Sequence, residues 1–293
     1  MKANRVTAIS RAVEYSPNCE RNDALIFGEV CNGLQKKGFQ TEIVCEADID
    51  FIEKTNTKLY ISMARGRRVL AILKKKENSG ALVINSAKSL IKYNRIEITK
   101  KMIECGEPIP QSEITATGST AGISYPFWVK RGDECAQNAK DVCFVENAEQ
   151  LERVWKDFEA RNISQVVISK HAEGDLVKFY GVEDTGFFFT CFPTENGGCG
   201  KFGAEAINGE PHKYSFSHSK LREECNRLAR ILNIPIYGGD CVVGKNGDFK
   251  IIDFNDWPSF SRCRTDAADR VLLQAGGQVS FHIEHTRYIQ YNA

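Results

Sequence analysis

The sequence predicts an α/β protein in which a small parallel α/β unit at the N-terminus precedes two α+β units. Three observations carry that reading. Short apolar strands alternate with helical periodicity through the first 86 residues, a capped helix then breaks at Gly106 into the extended run Glu107 to Pro110, and a hairpin of apolar strands spans 236–258. A chain of 293 residues has room for two or three packed units at roughly 100–200 residues each.

Composition excludes several classes. Lys and Arg number 39 against 38 Asp and Glu, a formal charge of +1, so no net field points to nucleic acid or an anionic membrane as the main partner. With 42% hydrophobic and 26% charged residues the chain is neither disordered nor collagen-like. Its 11 cysteines are scattered without a C-x-x-C pair, which removes the usual zinc and thioredoxin spacings and reads as reduced thiols. The first dozen residues, MKANRVTAISRA, hold no apolar leader core, and no stretch approaches the ~18 apolar residues of a membrane span. A cytoplasmic location without a membrane role is the expectation.

Taken in order, Arg5 to Ile9 is strand-like, and residues 20–37 place Ala24, Phe27, Cys31 and Leu34 at helical spacing before Gly38 ends the helix. Phe39 to Cys45, Lys58 to Met63 and Ala81 to Asn85 are three more strands, with one clear helix among the four. Asn94 is an N-cap for a helix through Cys105, and EPIP at 107–110 forces an extended exit, which places a boundary after residue 106. In 107–172 the order is three strands, a helix and a strand. Pro126 to Lys130, Val142 to Val145 and Gln165 to Ser169 are strands, and helix 148–160 has Asn147 as cap and Leu151, Val154, Trp155 and Phe158 on one face. In 173–293 the strands Leu176 to Val182 and Gly186 to Phe192 precede a helix from Ser219 to Leu232 and the hairpin. The tail after about Gln274 carries no clear signal.

The hairpin IYGGDCVVGKNGDFKIIDFNDWP carries the chemistry. Asn246-Gly247 suits a two-residue type I′ turn, because both central positions need positive φ. A regular hairpin centred there sets Asp240 opposite Asp253, and Asn255, two residues on, points to the same face. Its apolar neighbours on both faces are those of a buried strand, where two facing carboxylates repel. A divalent cation removes that repulsion, and oxygen-only ligands suit magnesium or manganese rather than zinc. On this reading Asp253→Asn relieves the repulsion and is expected to raise the stability of the unliganded protein. The plainer alternative is a polar strand end before Pro258, and a bulge that shifted the register by one residue would separate the pair.

With these residues in place, 81–260 resembles the ATP-grasp superfamily. The resemblance implies two α+β subdomains enclosing a nucleotide behind an N-terminal α/β domain, with boundaries 1–106, 107–172 and 173–293. An acidic residue on one late strand and an acid-x-Asn triplet on the next are the family's magnesium ligands, which implies Asp240, Asp253 and Asn255. ALVINSAKSLIKYNRIEITKKMIECGEPIP is similar to its leading segment, a strand ending in Asn, then a helix and an x-P-x-P-like exit. Lys130 stands where the family presents a lysine to the phosphates, although the loop 131–142 after it has only Gly132 where family loops are often glycine-rich. QVVISKHAEGDLVKFYGV resembles the adenine hinge and first lid strand. There Ser169 replaces the usual acid, Lys170 and Ala172 would supply backbone donor and acceptor, His171 packs, and Glu173 or Asp175 would reach the ribose. Lys178 stands where relatives face the transferred phosphoryl group or an anionic substrate.

The resemblance implies ATP and magnesium or manganese as cofactors. The leading activity is that of a carboxylate–amine ligase of glutathione synthetase or ribosomal-protein-modification type, joining a small-molecule or peptide carboxylate to an amine. Lys201, His212 and Lys213, in the variable lid 193–217, are candidates for holding an anionic substrate, with solvated loop charges as the alternative. GDLVKFYGV and DFNDWPSF are also similar to segments of inositol-polyphosphate kinases of the same superfamily, though Ser259 stands where those favour glycine. A kinase reading needs basic residues near the N-terminal strands, where Arg11 and Arg21 are the main ones. A non-catalytic nucleotide-binding protein is the third reading.

Overall fold

The computed structural model describes residues 5–134, 136–195 and 207–291, with side chains as far as Gly277. The N-terminal unit alternates β1 (Arg5–Ser10), α1 (Glu20–Lys36), β2 (Gln40–Cys45), α2 (Ile49–Lys54), β3 (Leu59–Ser62), α3 (Arg67–Asn78) and β4 (Leu82–Ile84). Its strands form one parallel sheet in the order β2-β1-β3-β4, the α/β unit expected from the alternation. Helices α2 and α3 are additions to the sequence reading. The N-cap of α3 is Gly66, which has no side chain to offer. The N–H groups at the cap and just before it are instead met from a distance by the Glu46 carboxylate, which accepts from Gly66 N at 2.7 Å and Arg65 N at 2.9 Å. A cap supplied from another loop leaves no local signature.

A short helix α4 (Ala87–Leu90) and α5 (Arg95–Glu104) lead into the middle unit. Asn94 caps α5, its Oδ1 accepting from Glu97 N at 2.9 Å. Strands β5 (Ser112–Ala116), β6 (Phe127–Arg131), β7 (Val142–Val145) and β8 (Gln165–Lys170) form an antiparallel sheet in the order β5-β8-β6-β7. Helix α6 (Ala148–Ala160), capped by Asn147, buries Leu151, Trp155 and Phe158 in a core with Phe127, Val129 and Ile168.

The last unit holds β9 (Asp175–Val182), β10 (Phe187–Cys191), α7 (His218–Leu232), β11 (Ile236–Val243), β12 (Phe249–Asp256) and α8 (Arg264–Tyr291). Its antiparallel sheet runs β10-β9-β11-β12. The first and last units share their hydrophobic cores: Tyr60 and Leu73 cluster with Phe179, Leu228, Tyr237 and Phe254. The tail, silent in sequence, is a helix laid along α1, packing Ala267, Val271 and Leu272 against Ile26, Val30 and Leu34. An added Cβ at Gly33 would stand 2.3 Å from Leu272 Cδ1, so the leucine end packs directly over the glycine and a larger residue there would make it turn aside. Asn85, at the end of β4, ties the two units like an inserted peptide: its amide nitrogen donates to Ile236 O at 2.8 Å and its oxygen accepts from Ile236 N at 3.0 Å. No helix among the described residues is long and apolar enough to cross a membrane.

Candidate functional site

A cavity of about 880 Å³ opens where the three sheets meet, and Lys130, Lys178, Asp240, Asp253 and Asn255 all line it. The hairpin reaches the expected pairing by another route. The turn is not two residues: Gly244 to Asp248 form the loop, closed by Gly244 N to Asp248 O at 2.8 Å and Gly247 N to Gly244 O at 2.9 Å. Only Gly247 of the Asn-Gly pair has positive φ, at +80°. This sets Val243 opposite Phe249, Val242 opposite Lys250 and Cys241 opposite Ile251, one residue out of the predicted register. A bulge then leaves Ile252 unmatched and restores Asp240 opposite Asp253.

The bulge places the lysine as well. The Ile252 carbonyl accepts a hydrogen bond from Lys130 Nζ at 2.8 Å, so the lysine of β6 crosses the cavity floor to β12. Burial and the neighbouring Arg95 push the Lys130 ammonium down to about 8, against the pull of Asp253 and Asp240. Asp253 is half-buried, and its desolvation works to raise its pKa, but Arg95, Lys130, a hydrogen bond from Asn255 and Lys178 outweigh that and leave it lowered. Arg95 Nη1 lies 3.2 Å from Asp253 Oδ1, and Asn255 Nδ2 donates to Asp253 Oδ2 at 2.8 Å. Lys178, the β9 partner of Asp240, donates to Asp240 Oδ1 at 2.9 Å.

Arg95 is the residue the sequence reading missed. It is the first residue of α5, where the positive end of the helix dipole disfavours a cation. An arginine directly after a cap is therefore a sign of use elsewhere, and here that use is Asp253.

The hinge differs from expectation in two ways. The Lys170 N–H is committed to Gln111 O at 2.8 Å and the Ala172 carbonyl accepts from Asn208 Nδ2 at 3.3 Å, so both groups already have protein partners, unlike the open donor and acceptor the resemblance implies. What remains for a ligand is the Lys170 carbonyl and the Ala172 N–H. The cavity wall then runs from Ala172 to Leu176 and leaves out Glu173 and Asp175. Asp175 is buried and accepts from His212 N and Tyr214 N, each at 2.7 Å, which makes it the anchor of that segment rather than a ribose ligand. His212 and Lys213 lie outside the cavity wall, Lys213 pairing with Glu195 at 2.6 Å on the surface; Lys201 lies outside the described residues.

Ser169 lines the cavity beside Ser112, with 3.0 Å between the hydroxyls. His171 packs, as expected: its Nδ1 accepts from Trp128 Nε1 at 3.1 Å and its ring meets the edge of Phe144. Burial holds its pKa low, which leaves a neutral ring with its proton on Nε2.

At the N-terminal end of the cavity Arg11 joins Asp23 at 3.0 Å, Met63 O at 3.1 Å and Trp257 O at 3.3 Å, while Arg65 pairs with buried Asp256 and lies over Tyr93. Glu14, Tyr15, Arg67 and Glu134 complete this end, and Arg21 takes no part in the wall.

Among the described residues no three His, Cys, Asp or Glu side chains converge on one point. Two carboxylates and an amide fit a hard cation that completes its shell with water and phosphate oxygens, as magnesium does.

No family model matches the chain, and no curated protein matches it in sequence. Solved structures do. The D-alanine–D-alanine ligase from Bacillus anthracis superposes with TM-score 0.65 at 13% identity, covering 97% of this chain and 100% of its own, and the structure of that ligase complexed with ATP gives the same values. A RimK-domain ATP-grasp protein from Sphaerobacter thermophilus covers 92% of this chain and 99% of its own at 16% identity and TM-score 0.59. The D-alanine–D-alanine ligase from Helicobacter pylori covers 93% and 97% at 13% identity and TM-score 0.60. The chain has the fold of the ATP-grasp superfamily.

Proposed function

We propose that the protein is an ATP-dependent ligase that activates a substrate carboxylate as an acyl phosphate for attack by an amine. The observation that carries this reading is the single wall on which Arg95, Lys130 and Lys178 stand among Asp240, Asp253 and Asn255, with a backbone hinge and the apolar side chains of Val142, Leu176 and Ile252 further along the same cavity. The hinge and apolar wall take adenine, the Lys170 carbonyl accepting from its amino group and the Ala172 N–H donating to the ring. Lys130 and Arg95 hold the polyphosphate from a fixed strand and a fixed helix end, and Lys178 faces the transferred phosphoryl group. Magnesium, held by Asp240, Asp253 and Asn255, would supply charge neutralisation on the phosphates. Such transfer needs positioning and charge more than a covalent nucleophile.

The N-terminal end of the cavity supports a carboxylate and an amine over a polyphosphorylated ring. Arg11 and Arg65 each pair with a carboxylate and Arg67 stands 3.9 Å from Glu134, with Glu14 in the same wall, so acids balance cations at this end, whereas Arg95, Lys130 and Lys178 outnumber Asp240 and Asp253. The fate of the phosphate tests the reading. A ligase given ATP, magnesium, carboxylate and amine releases ADP and inorganic phosphate, and hydroxylamine intercepts the acyl phosphate as a hydroxamate. Labelled phosphate held on an acid-stable alcohol ester, with no hydroxamate from any acid tested, makes it a kinase instead.

A further inference from the structure

Asp240 sits between two cross-strand neighbours, Asp253 on β12 and Lys178 on β9. Its Oδ1 is taken by Lys178 at 2.9 Å, and the two side chains are only 20% and 17% exposed. The facing carboxylate is taken too, Asp253 Oδ1 by Arg95 at 3.2 Å and Oδ2 by Asn255 at 2.8 Å. With Lys130 beside them, three cations meet two carboxylates, so the cluster carries positive charge in excess. A divalent ion arriving alone meets that excess and finds a ligand oxygen already bonded to an ammonium. A nucleotide polyphosphate reverses the balance, because its charge exceeds the excess it meets and gives Lys178 a second anion within reach of its flexible stem.

We infer that Lys178 is a resident counter-ion at Asp240 that is exchanged for the divalent metal only when the nucleotide binds, and that leaving Asp240 is what brings its ammonium to the phosphates. The inference rests on the magnesium–nucleotide reading above and adds an order to it: the metal enters with the polyphosphate, not before it. The paired strands β9 and β11 need not move, since a rotation of the lysine side chain suffices.

Manganese binding, measured by equilibrium dialysis that counts the manganese retained with the protein above the free and nucleotide-bound ion on both sides of the membrane, tests the exchange without turnover. The wild-type protein is expected to take up little manganese alone and to bind one ion when a non-hydrolysable ATP analogue is added. Lys178→Met is expected to bind manganese without nucleotide at least tenfold more tightly than wild type, and Lys178→Arg, which keeps the charge, to resemble wild type. Lys178→Gln repeats the measurement with a polar head if methionine unsettles the sheet. Equal affinity of wild type and both neutral variants for manganese alone overturns the exchange and leaves the metal site standing. If neither wild type nor variants bind manganese even with the analogue, the three-oxygen site itself is wrong and the inference falls with it.

Discussion

Asp253 keeps its negative charge in a half-buried place because Arg95, Lys130, Asn255 and Lys178 surround it. This reverses the effect that two facing carboxylates alone would give. Asp253→Asn is expected to abolish turnover and also to destabilise the unliganded protein, by ~1–3 kcal/mol, since it leaves buried cations without their anion. Urea unfolding at pH 7 measures the difference; a more stable variant would mean that repulsion from Asp240 dominates after all. The folded pKa lies below the ordinary value, so the stabilisation is present above the usual carboxylate range and is lost as pH falls through the lowered folded value. Wild type and variant should therefore converge in acid. Lys130 titrates the other way. Held down to about 8, well below the ordinary lysine value near ~10.4, it loses its proton in the folded protein as pH rises through about 8, so nucleotide affinity should fall through that value. Lys130→Ala should bind nucleotide more weakly at pH 7 and show a flatter profile; a titration with unchanged affinity or the same slope would contradict the phosphate role.

At the scale of elements, the hairpin β11–β12 is built from two irregularities that cancel. The five-residue loop moves the strands one residue out of register and the bulge at Ile252 moves them back, so the two carboxylates meet and a carbonyl is released to Lys130. The strands also run unusually close: a Cβ at Gly239 would stand 2.2 Å from Asp253 O and 2.5 Å from Phe179 Cζ. Gly239→Ala is therefore expected to destabilise the fold by ~1–3 kcal/mol through overpacking and to weaken nucleotide binding by moving Asp240. Calorimetry and a nucleotide titration on the same variant check both effects, and an unchanged melting temperature would show that the sheet yields at no cost.

For the whole molecule, the cavity depends on three units staying in place. Asn85, Arg11 and Arg65 reach from the ends of the N-terminal strands to Ile236, Trp257 and Asp256, beside the hairpin. Mg-ATP is expected to raise the melting temperature by mass action, about 2.7 kcal/mol at a hundred times its dissociation constant. Absence of a shift at millimolar nucleotide, with and without magnesium, would contradict nucleotide binding. Helix α8 closes the other side of the N-terminal unit. Leu272→Ala should cost ~2–4 kcal/mol, because Leu272 fills the contact with Gly33 on α1, and denaturant unfolding reads it directly.

The sequence by itself determined what periodicity and local chemistry encode. The parallel strands of the N-terminal unit, the capped helices at Asn94 and Asn147, and the pairing of Asp240 with Asp253 were legible because strand alternation, caps and hairpin spacing are written in local sequence, whereas Lys130 was implied only by the family resemblance. Tertiary structure decided the rest. Arg95 is more than a hundred residues from Asp253 in sequence, Glu46 caps a helix from a separate loop, and α8 gains its meaning only from α1. The hinge shows the same division: the resemblance implied Glu173 or Asp175 as ribose ligands, but neither lines the cavity and Asp175 accepts from two N–H groups of a distant segment. Local pattern sets which elements form. Which charges meet is fixed by packing, because an ion pair across two sheets depends on the distance between surfaces that no stretch of sequence contains.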